Sequence, residues 1–221
     1  MKVHYLPPEI KALAFDMDLT LYTHPEYGQY QIDCLVEKLG KLRGLSFQQM
    51  SLEVEKTRKT LAESQGRKST SLANVFKFYG ISIEESVRWR EELYRPEQFI
   101  KEDPKLKSAL NELSQKFVLG VVTNNPVLTA SKTLSVLGVG ECFSVLVGLD
   151  TCMISKPDEK PFLKFAELSG CLPENCVSIG DRYDVDLDIP LKLGMGGILV
   201  DGVEDVYCLP SVLKQEENRS S

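Results

Sequence analysis

Two histidines, His4 and His24, are all the chain has. Enzymes built on a histidine general base or a histidine-rich metal centre therefore lack their usual material. The six cysteines, at positions 34, 142, 152, 171, 176 and 208, form no CxxC pair. That spacing argues against a zinc site and against a disulfide framework, and it favours a reduced, cytoplasmic setting in which the cysteines serve as small buried hydrophobes. No run of about 18 apolar residues occurs, so no membrane-spanning helix is expected. The opening Met1-Lys2-Val3-His4-Tyr5-Leu6-Pro7-Pro8 lacks the apolar stretch of a secretory signal. Positive charge is also in deficit: 26 Lys and Arg against 32 Asp and Glu give a net charge of −6. That is the wrong balance for binding a nucleic acid polymer, but it leaves room for a small anionic substrate.

What is present is a chain of 221 residues, 43% of them hydrophobic, enough for one large domain with an insertion. Residues 11–16 form a short apolar run that stops at acidic residues, as a buried strand would. From residue 22 to about 98 the spacing becomes helical. Ile32, Leu35, Val36 and Leu39 share a face, Ser46 is placed to cap a helix through about Ala62, and a third helix is expected near 72–79. Ser82 opens a fourth that ends before Pro96. Trp89, Tyr94, Phe76 and Tyr79 are expected in the core of this helical stretch, and the basic polar run Arg67-Lys68-Ser69-Thr70 in an exposed loop.

After residue 100, helices alternate with apolar strands at 117–122, 143–147, 176–179 and 197–200. This pattern calls for a parallel sheet of five strands. The tail from Lys214 to Ser221 is polar and expected to fray. Segments 1–21 and 99–221 would then build an α/β core, and 22–98 an all-helical domain inserted into it.

In an open parallel sheet, ligands bind beyond the carboxyl ends of the strands. Those ends carry Asp16, Asp18 and Thr20; Thr123, Asn124 and Asn125; Lys156 and Pro157; and Gly180, Asp181, Arg182, Asp184 and Asp186. Converging carboxylates repel one another unless a hard divalent cation joins them, and an all-oxygen set suits Mg²⁺. Lys156, Thr123 and loop amides would face a phosphoryl group, an assembly suited to phosphoryl transfer. Asp16 and Asp18 project to the same side of an extended backbone. One can attack phosphorus while the other protonates the leaving oxygen and later activates water. Among the neighbours, Asn125 reads as the cap of the next helix, Asp184 as an N-cap, Asp188 as a solvated acid and His24 as a linker residue.

Asp16-Met17-Asp18-Leu19-Thr20-Leu21, Thr123, Lys156 and Gly180-Asp181-x4-Asp186 resemble the four motifs of the haloacid dehalogenase superfamily, in order, over residues 11 to about 202. The resemblance implies a Rossmann-like α/β core with a helical cap of the first type at 22–98. It implies Asp16 as nucleophile and Asp18 as general acid/base with its carbonyl on the metal. Thr123, Asn124 and Lys156 would bind the phosphoryl group. Asp181 would ligate Mg²⁺, and Asp186 would support the metal shell. The dehalogenases proper lack the second aspartate, so Asp18 directs the resemblance toward phosphatases of small phosphorylated metabolites. A phosphomutase of the β-phosphoglucomutase type shares the same core, and a catalytically silent binding protein is the remaining alternative. Leu19 departs from the pattern, which usually has Gly or Asn there. Neither the substrate nor the oligomeric state is legible.

Overall fold

The computed structural model describes residues 1–64, 66 and 70–220, without the side chains of the last four of these. Arg67, Lys68 and Ser69 of the expected basic loop lie outside the described residues; Thr70, the last of that run, is buried.

The chain opens with strand β1 (Lys2–Tyr5) and the central strand β2 (Ala12–Phe15). Four helices follow: α1 (Pro25–Arg43), α2 (Phe47–Ser64), α3 (Leu72–Phe78) and α4 (Ile83–Leu93). The remainder alternates as α5 (Pro104–Ser114), β3 (Val118–Val122), α6 (Val127–Val136), β4 (Val145–Val147), α7 (Leu149–Cys152), α8 (Lys160–Ser169), β5 (Cys176–Gly180), α9 (Asp188–Lys192), β6 (Gly196–Leu199) and α10 (Val203–Ser220). A π-helical turn, Tyr183–Leu187, leads into α9.

The sheet runs β1-β6-β5-β2-β3-β4, so it has six strands, not five. The additional strand is β1, paired antiparallel to β6, and all other pairs are parallel. The apolar side chains of β1, Val3 and Tyr5, are 37% and 46% exposed, so this edge strand carried no burial pattern to read. The second departure is α10. The tail expected to fray is helical through Ser220, as the continuation of a helix whose Val206, Leu209 and Leu213, ahead of the tail, bury a face in the main core. The cysteines also divide: Cys176 is buried, Cys208 exposed, and the other four intermediate.

The sheet faces explain the residue choice. Along β2, Leu13 and Phe15 pack with Leu119, Val121, Val177, Ile179 and the apolar sides of α5, α6 and α10. Ala12 and Ala14 point the other way, toward Phe162 and Phe165 of α8. Alternation across the pleat thus sets bulky residues on one face and small ones under an aromatic layer on the other. Gly120 in β3 belongs to the same fit, since a Cβ there would lie 2.6 Å from the Phe165 ring.

Helices α1 to α4 carry an apolar cluster of their own, built on Leu35, Leu39, Met50, Val54, Val75, Phe76, Trp89 and Tyr94, with Tyr79 packed against it. The start of α1 belongs to the main core through Tyr27, while Ala73 and Val87 meet Leu149 of α7. His24 caps α1: its Nδ1 accepts from the Tyr27 amide at 3.2 Å.

Candidate active site

Strand β2 lies between β3 and β5, where successive strands are added to opposite sides of the sheet. The chain beyond these three ends meets at one crevice. Asp16 follows β2 directly, with its amide on the Ile179 carbonyl at 2.8 Å. Thr123 follows β3, with its amide on Val147 at 2.9 Å. Asp181 follows β5. Lys156 reaches the same point from beyond β4 and α7.

The Lys156 ammonium is buried and donates to Asp16 Oδ1 at 2.6 Å and to Asp186 Oδ1 at 2.7 Å. Burial pulls its pKa down, but Asp16 and Asp186 outweigh burial and hold it above the ordinary value. Asn124 positions this lysine: its Oδ1 accepts from the Lys156 amide at 2.7 Å and its Nδ2 donates to the Lys156 carbonyl at 3.3 Å. Asp186 is held on three sides. Its Oδ1 takes the ammonium, its Oδ2 the Arg182 amide at 3.1 Å, and its carbonyl the Ser178 hydroxyl at 2.7 Å. Gly180 makes this approach possible, because a Cβ there would stand 2.5 Å from Asp186 Cβ.

Asp16, Asp181 and Asp186 each bring a carboxylate oxygen within 4.8 Å of the others, an acidic group that could hold a metal ion. At that spacing each charged pair repels by roughly 3 kcal/mol or more, at an effective dielectric near 20. One ammonium does not neutralise three carboxylates. Burial, opposed by Lys156 and reinforced by the neighbouring carboxylates, pushes Asp16 up to about 7. Burial and Asp186 push Asp181 up to about 6. Asp181 Oδ1 is buried without a hydrogen-bond partner, and the Arg182 Nε stands 3.9 Å away. An orphaned buried oxygen beside two other carboxylates is the donor set a hard divalent cation fits.

Asp18 is not part of this group and is held by donors of its own. Its Oδ2 accepts from Asn125 Nδ2 at 2.8 Å, and its Oδ1 accepts from Gln31 Nε2 at 3.1 Å and from the Tyr22 hydroxyl. These partners were not read as site residues, and Asn125 does not cap α6. Asp150 Oδ1 takes the Val127 amide of that helix instead, at 2.9 Å. Asp184 makes no capping bond either. Asp188 pairs with Lys192 at 2.7 Å. Thr123 is buried, and its Oγ1 accepts from the Asn125 amide at 3.2 Å, which leaves the hydroxyl proton for another acceptor. The site therefore gathers Asp16, Thr123, Lys156, Asp181 and Asp186, with Asn124 behind the lysine and Asp18 at the margin.

Comparison with known proteins agrees with this geometry. The model of the family described as haloacid dehalogenase-like hydrolase matches residues 13–200. A phosphoglycolate phosphatase of Aquifex aeolicus is 31% identical over 165 residues, 67% of this chain and 75% of that protein. A glyceraldehyde 3-phosphate phosphatase of Methanothermobacter thermautotrophicus is 30% identical over 99 residues, 44% of each chain. The fold of a phosphatase from Thermococcus onnurineus superposes with a TM-score of 0.63 at 22% identity, over 92% of this chain and 98% of that one. A Bacillus subtilis putative hydrolase, solved bound to magnesium, superposes at 0.58 and 18% identity, over 92% and 99% of the two chains. By sequence match and by the shared fold, the chain belongs to the haloacid dehalogenase-like hydrolase family, in its phosphatase branch.

Proposed function

We propose that the protein is a Mg²⁺-dependent phosphatase that hydrolyses a small phosphorylated metabolite through an aspartyl-phosphate on Asp16. The observation that supports this reading most directly is the Lys156 ammonium bridging Asp16 and Asp186 beside the unpartnered oxygen of Asp181. Asp16, Asp181 and Asp186 would hold the ion, which supplies charge neutralisation to the carboxylates and to the phosphoryl oxygens when bound.

This chain's own groups account for the remaining steps. Lys156 and the Thr123 hydroxyl donate to the phosphoryl oxygens, and Asn124 fixes the lysine backbone so that the ammonium stays aimed. Asp16 attacks phosphorus as its carboxylate, and the leaving oxygen departs with a proton. Asp18 gives that proton and then takes one from the water that hydrolyses the acyl phosphate. To do so it leaves the donors Tyr22, Gln31 and Asn125 that hold it. Residues 22–98 act as a lid that excludes bulk water. Ser71, at the start of α3, supports that role through a 2.8 Å hydrogen bond to Ser155, the neighbour of Lys156.

Phosphate release from a panel of phosphorylated metabolites, with and without EDTA, tests the reading. We expect activity that EDTA abolishes and Mg²⁺ restores. Asp16→Asn should lose at least about a thousandfold in kcat with an unchanged thermal midpoint. Turnover by the Asp16→Asn protein at the wild-type rate would overturn it.

A further inference from the structure

Among the described residues, three side chains donate to the Asp18 carboxylate, and all three are buried: Tyr22 and Gln31 on Oδ1, and Asn125 on Oδ2 at 2.8 Å. The Gln31 amide nitrogen has two hydrogens, enough to serve both Asp18 at 3.1 Å and the Tyr22 oxygen at 3.4 Å. Tyr22 in turn donates to Asp18, so the three groups close a ring of hydrogen bonds. The Gln31 amide oxygen has no place in that ring, since it would face a carboxylate. In this arrangement Asp18 serves only as an acceptor, and hydrogen bonds to a carboxylate are of the stronger, charge-assisted kind.

The three donors differ in what they are attached to. Tyr22 belongs to the main core and bridges Asp18 along the backbone. Asn125 is fixed beyond the end of β3, with its amide on Thr123 Oγ1 at 3.2 Å and its carbonyl on the Leu149 amide at 2.9 Å. Gln31, in contrast, comes from α1, in the helical segment between β2 and α5. On its face of α1, Tyr27 four residues earlier packs in the main core, and Leu35 four residues later packs in the cluster that α1 to α4 share. Gln31 therefore stands at the seam of two cores. Of the three donors it is the one that a small shift of α1, or a turn of its own side chain, withdraws.

We propose that Gln31 is a positioning residue that restrains the acid/base: Asp18 enters either proton transfer only after the Gln31 amide has let go. The inference rests on the phosphatase reading and adds a restraint to it. In the first step the bond from Asp16 to phosphorus forms, the bond to the leaving oxygen breaks, and the Asp18 proton passes to that oxygen. In the second, water bonds to phosphorus, its proton passes to Asp18, and the bond to Asp16 breaks. An alkoxide leaving group needs the Asp18 proton, whereas 2,4-dinitrophenolate leaves without one. A restraint on Asp18 therefore slows the first kind of substrate and spares the second.

The test measures kcat/KM, which reports the steps through formation of the aspartyl-phosphate, for glycerol 2-phosphate and for 2,4-dinitrophenyl phosphate. Gln31→Leu, similar in size but without a donor, should raise the ratio of the alkyl to the aryl value about threefold or more. Gln31→Asn keeps the amide but shortens its reach, and it should raise the ratio as well. A helix merely loosened by either substitution would change both substrates alike and leave the ratio where it was. Proton magnetic resonance adds a readout that needs no turnover. The Tyr22 hydroxyl proton should give a downfield signal that is absent from Tyr22→Phe and displaced in Gln31→Leu. A wild-type protein that turns over neither substrate would overturn the phosphatase reading and this inference together. An active enzyme whose ratio stays level or falls in both Gln31 variants, or whose hydroxyl signal is unmoved in Gln31→Leu, would overturn the inference alone.

Discussion

Leu19 sits at φ 61°, in the left-handed region that a branched side chain enters at a cost of roughly 1–2 kcal/mol. The turn requires this conformation. Thr20 and Leu21 both direct their amides to the Met17 carbonyl, at 3.3 and 2.9 Å, and so carry the chain from Asp18 back toward Tyr22. The departure from Gly or Asn noted in the sequence is therefore a strained position rather than a different loop. Leu19→Asn should raise stability by about 1 kcal/mol, since Asn tolerates this region. The midpoint of urea unfolding reports it, and an unchanged or lower midpoint would count against strain. Gly180 makes the opposite prediction. The methyl of Gly180→Ala would collide with Asp186 and push it off Lys156. Activity should fall at least about tenfold while the far-ultraviolet spectrum of the folded protein persists. Full activity would show that Asp186 can be displaced without consequence.

At the scale of elements, several helices begin with a specific anchor. Ser71 and Ser82 accept from amides of α3 and α4 at 3.2 Å each. Asp103 does more for α5. Its Oδ1 accepts from the Lys105 and Leu106 amides at 3.0 and 2.9 Å, and its Oδ2 accepts from the Tyr207 hydroxyl of α10. One carboxylate thus starts one helix and ties down another. Asp103→Ala should cost about 1–2 kcal/mol, the upper range for a lost cap. Tyr207→Phe, which keeps the cap, should cost less. Equilibrium unfolding of the two variants checks the order, and a costlier Tyr207→Phe would refute the capping account.

Across the whole molecule, burial separates tyrosines from water. Tyr27 and Tyr94 are 0% and 4% exposed, and burial pushes both hydroxyls well above their ordinary pKa. In the unfolded chain they ionise near pH 10; in the folded protein they stay neutral. Their contribution to stability is therefore complete below about pH 10. It is lost as pH rises from there toward the folded value, by at most about 1.4 kcal/mol per pH unit for each tyrosine. Urea midpoints measured between pH 8 and pH 11 should be level at first and then decline. Tyr94→Phe should decline less steeply than the wild-type protein, and parallel profiles would remove Tyr94 from the account.

Residue order along the chain was sufficient for the alternation of strands and helices, for the four helices between β2 and α5, and for the strand-end positions of Asp16, Thr123 and Asp181. These follow from local periodicity and from the abrupt change from apolar to polar residues, which a one-dimensional string records. Edge strand β1 and the last turns of α10 were not legible, because one leaves its apolar residues exposed and the other has a polar surface. Nor could the sequence show that Asn125 serves Asp18, that Asn124 grips the Lys156 backbone, or that Gln31 reaches Asp18 from thirteen residues away. Those pairings join groups from separate elements. Asparagine, glutamine and arginine have several equally good local uses, so only the packing of the elements selects among them. The carboxylate at strand end could be read from the sequence, whereas the partners that charge it or hold it were decided by tertiary structure.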